Sequence, residues 1–196
     1  MTVIVGLTGS IGMGKTTAAL MFRSLGLPIC DSDDLVHNLI KKGGAAVSQI
    51  GEKFEGAVFD GEVNRAVLGK MVFENTAALT NLENILHPLV KASQQQFIKR
   101  CRLRRLPAVV LDVPLLFEVE TDRICDFTIV VSAPEFIQRQ RVMARPGMTP
   151  QRLDATIRRQ MPDIEKRKKA DFVVCTGLSK RHTFNQLYKI KKLIHM

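Results

Sequence analysis

The sequence has no apolar stretch long enough to cross a bilayer. Its longest apolar runs, such as 108–111, are a fraction of the ~20 residues that a spanning helix needs. Cysteines are few. Cys30, Cys101, Cys125 and Cys175 are the four, and no two are spaced as metal ligands or as a redox pair. That excludes a cysteine metal site and a dithiol active site, and leaves reduced, mostly buried thiols of the kind a cytoplasmic protein carries. Low-complexity segments and internal repeats are also missing, which excludes a solenoid and a disordered chain. The first apolar run begins almost at once, so no signal peptide is expected. Acidic residues are in short supply, 19 against 29 basic ones, for a net charge of +10. Such a balance favours anionic partners, but its sign cannot separate nucleic acid from small polyphosphates. What remains is ordinary globular composition, 45% hydrophobic and 24% charged, over 196 residues. That suits one α/β domain with inserted segments.

One short motif stands out. Gly9-Ser10-Ile11-Gly12-Met13-Gly14-Lys15-Thr16 fits the phosphate-loop pattern G-x-x-x-x-G-K-S/T in full. The glycines let successive N–H groups turn toward an anion, and the helix that follows points its positive end at the same place. Lys15 adds a full charge, and the Thr16 hydroxyl can hold magnesium. The plainer alternative is a Gly-rich turn with an incidental lysine. The apolar run Val3-Ile4-Val5 before the motif and the helical pattern over 16–25 after it favour a nucleoside triphosphate site. Met13 is expected to face outward.

The rest alternates. Segments 2–7, 27–30, 108–112, 127–132 and 172–175 are short, rich in Val, Ile and Leu, and show no polar alternation. That reads as parallel strands covered on both faces by helices. Two stretches interrupt the alternation. Residues 36–105 are mostly helical in pattern, broken by Gly43-Gly44 and by 56–61, and suggest a helical insertion at the rim of the sheet. Residues 139–169 are basic around the Pro146-Gly147 turn and suggest a lid. The basic run 99–105 fits the solvated end of a long helix, with nucleic-acid contact as the alternative.

Two acidic clusters narrow the chemistry. Asp31-Ser32-Asp33-Asp34 follows the second strand, where ligands bind in open α/β sheets. Its carboxylates can serve as proton acceptor or metal ligand, or can cap a helix starting near Leu35; the residues alone leave both open. Asp112 closes an apolar strand, as a magnesium-associated acid does in this architecture, and Leu115 to Phe117 then form an apolar run that caps the core or lines a pocket. Arg141 and Arg145, four apart on one helix face, and Arg158 on the next helix either steady transferring phosphate or form a solvated basic face. His87, alone in an apolar helix, reads as structural.

Taken together, these segments resemble the bacterial dephospho-coenzyme A kinases. The resemblance is carried by residues 6–16, by Asp31-Ser32-Asp33, by Leu86-His87-Pro88-Leu89-Val90 and by Leu111-Asp112-Val113-Pro114-Leu115-Leu116-Phe117-Glu118. Arg141 with Arg145, Arg158-Arg159-Gln160-Met161-Pro162, Lys166-Arg167 and Ala170-Asp171-Phe172-Val173 continue it, in family order across nearly the whole chain. It implies a P-loop kinase, an α/β three-layer sandwich with a parallel central sheet. Residues 1–35, 106–138 and 170–196 would form the nucleotide-binding core, 36–105 a helical domain for the CoA substrate, and 139–169 the lid. It implies ATP-dependent phosphorylation of the ribose 3′-hydroxyl of dephospho-CoA.

The resemblance also implies roles. Asp33 would be the base, with Asp31 helping to arrange the site. Gly9, Ser10, Ile11, Gly12, Met13, Gly14, Lys15, Thr16 and Thr17 would hold ATP, with Arg141, Arg145 and Gly177. Lys15 and Arg141 would join Asp33 as catalytic groups. Thr16 and Asp112 would attend magnesium. Arg65, His87, Pro114, Leu115, Phe117 and Arg158 would lie near dephospho-CoA. The chain departs from the pattern at Ser10, where glycine is common, at Ser32, where alanine is common, and at Cys175-Thr176-Gly177, where many members show Asp-Asn-Ser-Gly. A guanine-specific switch is excluded by the missing N-K-x-D signature. Expected partners are the two small substrates, with no nucleic acid and no membrane. A monomer is the working expectation.

Overall fold

The apolar runs of the sequence fold as strands, and the stretches between them as helices. The computed structural model describes residues 1–73 and 75–194. The chain runs β1 (Val3–Thr8), α1 (Lys15–Ser24), β2 (Ile29–Asp31), α2 (Ser32–Ile40), α3 (Val47–Lys53), β3 (Val58–Phe59), β4 (Glu62–Val63), α4 (Arg65–Phe73) and α5 (Thr76–Leu103). It continues through β5 (Ala108–Asp112), a 3-10 turn (Thr121–Ile124), β6 (Phe127–Ser132), α6 (Glu135–Met143), α7 (Pro150–Arg158), α8 (Asp163–Lys169), β7 (Phe172–Cys175) and α9 (Lys180–Ile194). The last three strands of the large sheet have the expected bounds; β1 and β2 are shifted by one or two residues.

The large sheet has five strands in the order β2-β5-β1-β6-β7. Strand β1 pairs in parallel with β5 on one side and with β6 on the other, and β6 pairs in parallel with β7. Val5, Leu7, Val110, Ile129, Val131 and Val174 face one way. They meet Ala18, Ala19 and Phe22 of α1 and Leu187, Ile190 and Ile194 of α9. The alternate residues face the other way and are buried too, as Val109, Leu111 and Val130 are with no exposed surface. A Cβ on Gly6 would meet Cys125 Sγ and Leu116 at 2.9 Å, and the Ser132 hydroxyl on this side donates to Asp163 of α8 at 2.7 Å. Burial on both faces is why the strands show no polar alternation. The architecture is the expected three-layer α/β sandwich.

The chain divides into two compact units, Met1–Cys30 with Arg100–Met196, and Asp31–Lys99. The sequence reading drew the insertion at 36–105; residues 139–169 fall within the first unit and are not separated from it. The second unit has its own core of Ile40, Ala46, Ile50, Phe54, Ala57, Val63 and Leu68. It also holds an antiparallel hairpin, β3 with β4, where the sequence suggested only a break in helical pattern. Asp60 and Gly61 between the strands both have positive φ, 49° and 77°, the twist that a two-residue hairpin turn requires. Strands of two residues are too short to show period-two alternation, so the sequence does not display them. No helix among the described residues is long and apolar enough to cross a membrane.

Candidate active site

Residues 9–14 connect β1 to α1. Gly14 is the N-cap of α1 with φ 87°, a left-handed conformation that disfavours a side chain. At Gly12, φ is +77°, and a Cβ would meet Val142 Cγ2 at 2.5 Å. Three successive carbonyls of the loop are drawn outward. Ile11 O accepts from Gln138 Nε2 at 2.8 Å, Gly12 O from Arg141 Nη1 at 3.4 Å, and Met13 O from Thr176 Oγ1 at 2.7 Å. Carbonyl and N–H point oppositely across a planar peptide, so carbonyls held outside turn the amides of Gly12 and Gly14 toward the cradle, while the Met13 N–H donates to Ser10 O at 3.1 Å. Helix α1 has no acidic residue in its first turn and no side-chain cap, which keeps its positive end open to an anion.

Lys15 opens α1, and its Nζ lies 2.6 Å from Asp112 Oδ1; the aspartate side chain is 1% exposed. The register Leu7↔Asp112 of adjacent strands puts that carboxylate beside the loop. Thr16 follows on the exposed side of the helix. One carboxylate and one hydroxyl at a phosphate cradle suit magnesium, which keeps waters and substrate phosphates in its shell. Among the described residues no group of three or more His, Cys, Asp or Glu is placed to hold a metal, so protein side chains alone do not cage one.

The Asp31–Asp34 cluster separates into two settings. Asp31 is the N-cap of α2, accepting from the N–H of Asp33 at 2.8 Å and of Asp34 at 3.4 Å. Helix α2 therefore begins at Ser32 rather than near Leu35. Asp33 sits in its first turn with an exposed side chain. His87 is exposed on α5, which overturns its reading as a structural histidine. Leu82, Ile85, Leu86 and Leu89 form the stripe that packs on the second core, and helical spacing turns His87 away from it. Arg65 is exposed at the start of α4, next to Asn64, which caps that helix by accepting from Ala66 and Val67. After β5, Pro114 and Leu115 are half-buried while Leu116 and Phe117 are buried, so the apolar run caps the core.

The arginines also separate. Arg141 reaches Gly12 O, Thr176 Oγ1 at 3.2 Å and Thr176 O at 2.6 Å. Arg145 does not share its helix face, because α6 ends at Met143 and Arg145 is exposed beyond the cap. Arg158 is the last residue of α7, also exposed. At Gly177 a Cβ would meet Pro134 Cδ at 2.6 Å, and Thr17 is half-buried in the first turn of α1.

Comparison with known proteins decides the family. The protein-family model of dephospho-CoA kinase matches residues 3–179. The chain belongs to the dephospho-CoA kinase family. A dephospho-CoA kinase of Paramagnetospirillum magneticum is 56% identical over 164 residues, covering 84% of this chain and 77% of that protein. A solved structure from Thermus thermophilus superposes with a TM-score of 0.87 at 32% identity, covering 98% of this chain and 97% of that one. The dephospho-CoA kinase of Campylobacter jejuni has a TM-score of 0.70 at 23% identity, covering 100% and 98%, and supports the fold.

Within this family member, one expectation about the loop fails. Met13 is 3% exposed, packs in the main core, and its sulfur accepts the Ala133 N–H at 3.1 Å. It faces inward because β6 runs beside the loop and leaves an apolar slot there. Several bracing residues had no role assigned from sequence. Thr176 is buried and holds Met13 O, Gln138 and Gln160 engage Ile11, and Lys166 is fully buried with its Nζ 3.0 Å from Glu118 Oε1 and 3.3 Å from Pro114 O. The opposite oxygen, Glu118 Oε2, is buried without a partner. Glu118, Gln160 and Lys166 lie in the segments that carry the family resemblance, and that was the only signal for them; Thr176 stands where the chain departs from the pattern.

Proposed function

We propose that the chain transfers the γ-phosphoryl group of ATP to the ribose 3′-hydroxyl of dephospho-CoA, giving CoA and ADP, the last step of coenzyme A biosynthesis. The observation that carries the reading is the outward-braced phosphate loop with Lys15 on Asp112, in a chain of this family. The acceptor oxygen bonds to the γ-phosphorus as the bond to the ADP oxygen breaks. Asp33 takes the hydroxyl proton, and its exposed carboxylate is available for that. Asp31 contributes by holding the first turn of α2. Residues Gly9 to Thr17 cradle the triphosphate, with Lys15 and Arg141 offsetting charge on the leaving ADP. Thr16 and Asp112 are the residues that would hold magnesium; when bound, it neutralises phosphate charge. Arg145 contacts phosphate, Arg158 lies near dephospho-CoA, and Gly177 lies near the adenine. Arg65, His87, Pro114 and Leu115, backed by Phe117, contact dephospho-CoA.

The excess positive charge suits two polyanionic substrates. No disulfide joins the four cysteines, which suits a reducing cytoplasm, and the chain is taken to act as a monomer. The test is a coupled assay with ATP, magnesium and dephospho-CoA beside a panel of nucleosides. Turnover of dephospho-CoA is expected; turnover of a nucleoside alone would replace the reading with that of a nucleoside kinase.

A further inference from the structure

Two glutamines grip a single residue at the crest of the phosphate loop. The Ile11 N–H donates to Gln160 Oε1 at 3.1 Å, and Gln138 Nε2 donates to Ile11 O at 2.8 Å. Gln138 is buried on α6, and Gln160 follows α7. The chain is tied down again just after Gln160. Met161 N–H donates to Glu118 Oε1 at 2.7 Å, the same oxygen that Lys166 engages. Residues 139–159 are therefore bracketed by two glutamines that hold the same loop residue, while Val142 and Leu153 within the segment are buried and Arg141 reaches Gly12 O. Gln138 and Met161 also line a cleft of about 590 Å³ with Ser10 and Met13, so open space borders the loop beside these polar links.

We propose that Gln160, together with Gln138, is a positioning residue. The pair sets the orientation of the Ile11 peptides, and through them the amides of Gly12 and of Gly14 to Thr16, so that the loop's affinity for triphosphate follows the placement of segment 139–159. A side-chain amide can satisfy a backbone N–H or a carbonyl, and rotation at one residue reorients the next peptide because each residue has only two soft dihedrals. The proposal rests on the reading of this loop as the ATP site.

The test uses Gln160→Met and Gln138→Met, which keep length and lose the hydrogen bond. Melting temperature, ATP Kd by calorimetry, and KM for each substrate are measured in the whole protein. Gln160→Met is expected to melt within about 2 °C of the parent. It should bind ATP roughly 3- to 10-fold more weakly, with a matching rise in the KM for ATP and no change in that for dephospho-CoA. Gln138→Met should act in the same direction, and the double variant should lose less than the product of the two factors, because both hold one residue. An unchanged ATP Kd in both single variants overturns the proposal. So does equal weakening toward both substrates with a lowered melting temperature, which marks a merely structural role, or a fully multiplicative double variant. Calorimetry with ATP reads the clamp even if the parent fails to phosphorylate dephospho-CoA, so failure of the clamp and of the reaction are distinguishable.

Discussion

Asp31 and Asp33 are chemically identical and two positions apart, yet their surroundings divide them. The carboxylate of Asp31 is occupied by two backbone N–H groups, and that of Asp33 stands exposed. Asp33→Asn removes the proposed proton acceptor without changing shape. We expect ATP binding to be retained and turnover to fall by roughly 10²- to 10⁴-fold, read by calorimetry and steady-state kinetics on one preparation. Lys15→Ala should weaken ATP binding and transfer together, since in the proposed reaction the ammonium serves both the bound triphosphate and the leaving group; normal kinetics would remove Lys15 from the site. The difference between the two aspartates was not legible in the sequence, where both positions suit a cap and both suit a base. Met13 was illegible for a related reason. Whether a loop side chain faces outward depends on what lies beside the loop, and Ala133 and β6 come from a part of the chain far away in sequence.

At the scale of elements, short helices need their ends satisfied. Helix α2 has nine residues and owes its start to the Asp31 cap. Asp31→Ala should therefore lower stability by about 1 kcal/mol, read as a shift of the melting curve. Asp31→Asn keeps an accepting oxygen and should hold the curve near that of the parent. Equal losses in both variants would mean that the charge, not the cap, matters there. The phosphate loop shows how little of an element's geometry its own residues specify. Its glycines permit the conformation, but Gln138, Arg141, Gln160 and Thr176 select it from segments more than a hundred residues away. The pair Lys166 and Glu118 ties α8 to the loop after β5 in the same manner. A fully buried ammonium is costly unless paired, so this contact weighs more on local geometry than on net stability.

At the scale of the whole molecule, burial raises the pKa of two thiols, Cys125 and Cys101. Cys125 sits under the sheet beside Gly6, and burial, reinforced by Asp122, Asp126 and Asp171, pushes its pKa from the ordinary 9.0 up to about 12. Burial raises that of Cys101 as well, against the opposing Arg104 and Arg100. A thiol that ionises more readily unfolded than folded stabilises the fold below pH 9 and loses that contribution as pH climbs through the folded value. Stability should thus decline between about pH 9 and 12, and Cys125→Ala should flatten part of that slope in denaturant melts taken at successive pH values; an identical slope in the variant would rule out this thiol as a cause. The sequence by itself determined the strands, the phosphate loop, the charge balance and the family, because each is written in neighbouring residues whose spacing has a local physical meaning. Tertiary structure alone decided which way Met13 faces and which side chains brace the loop between β1 and α1. Those outcomes depend on groups that only folding brings within hydrogen-bonding distance, and no local pattern records them.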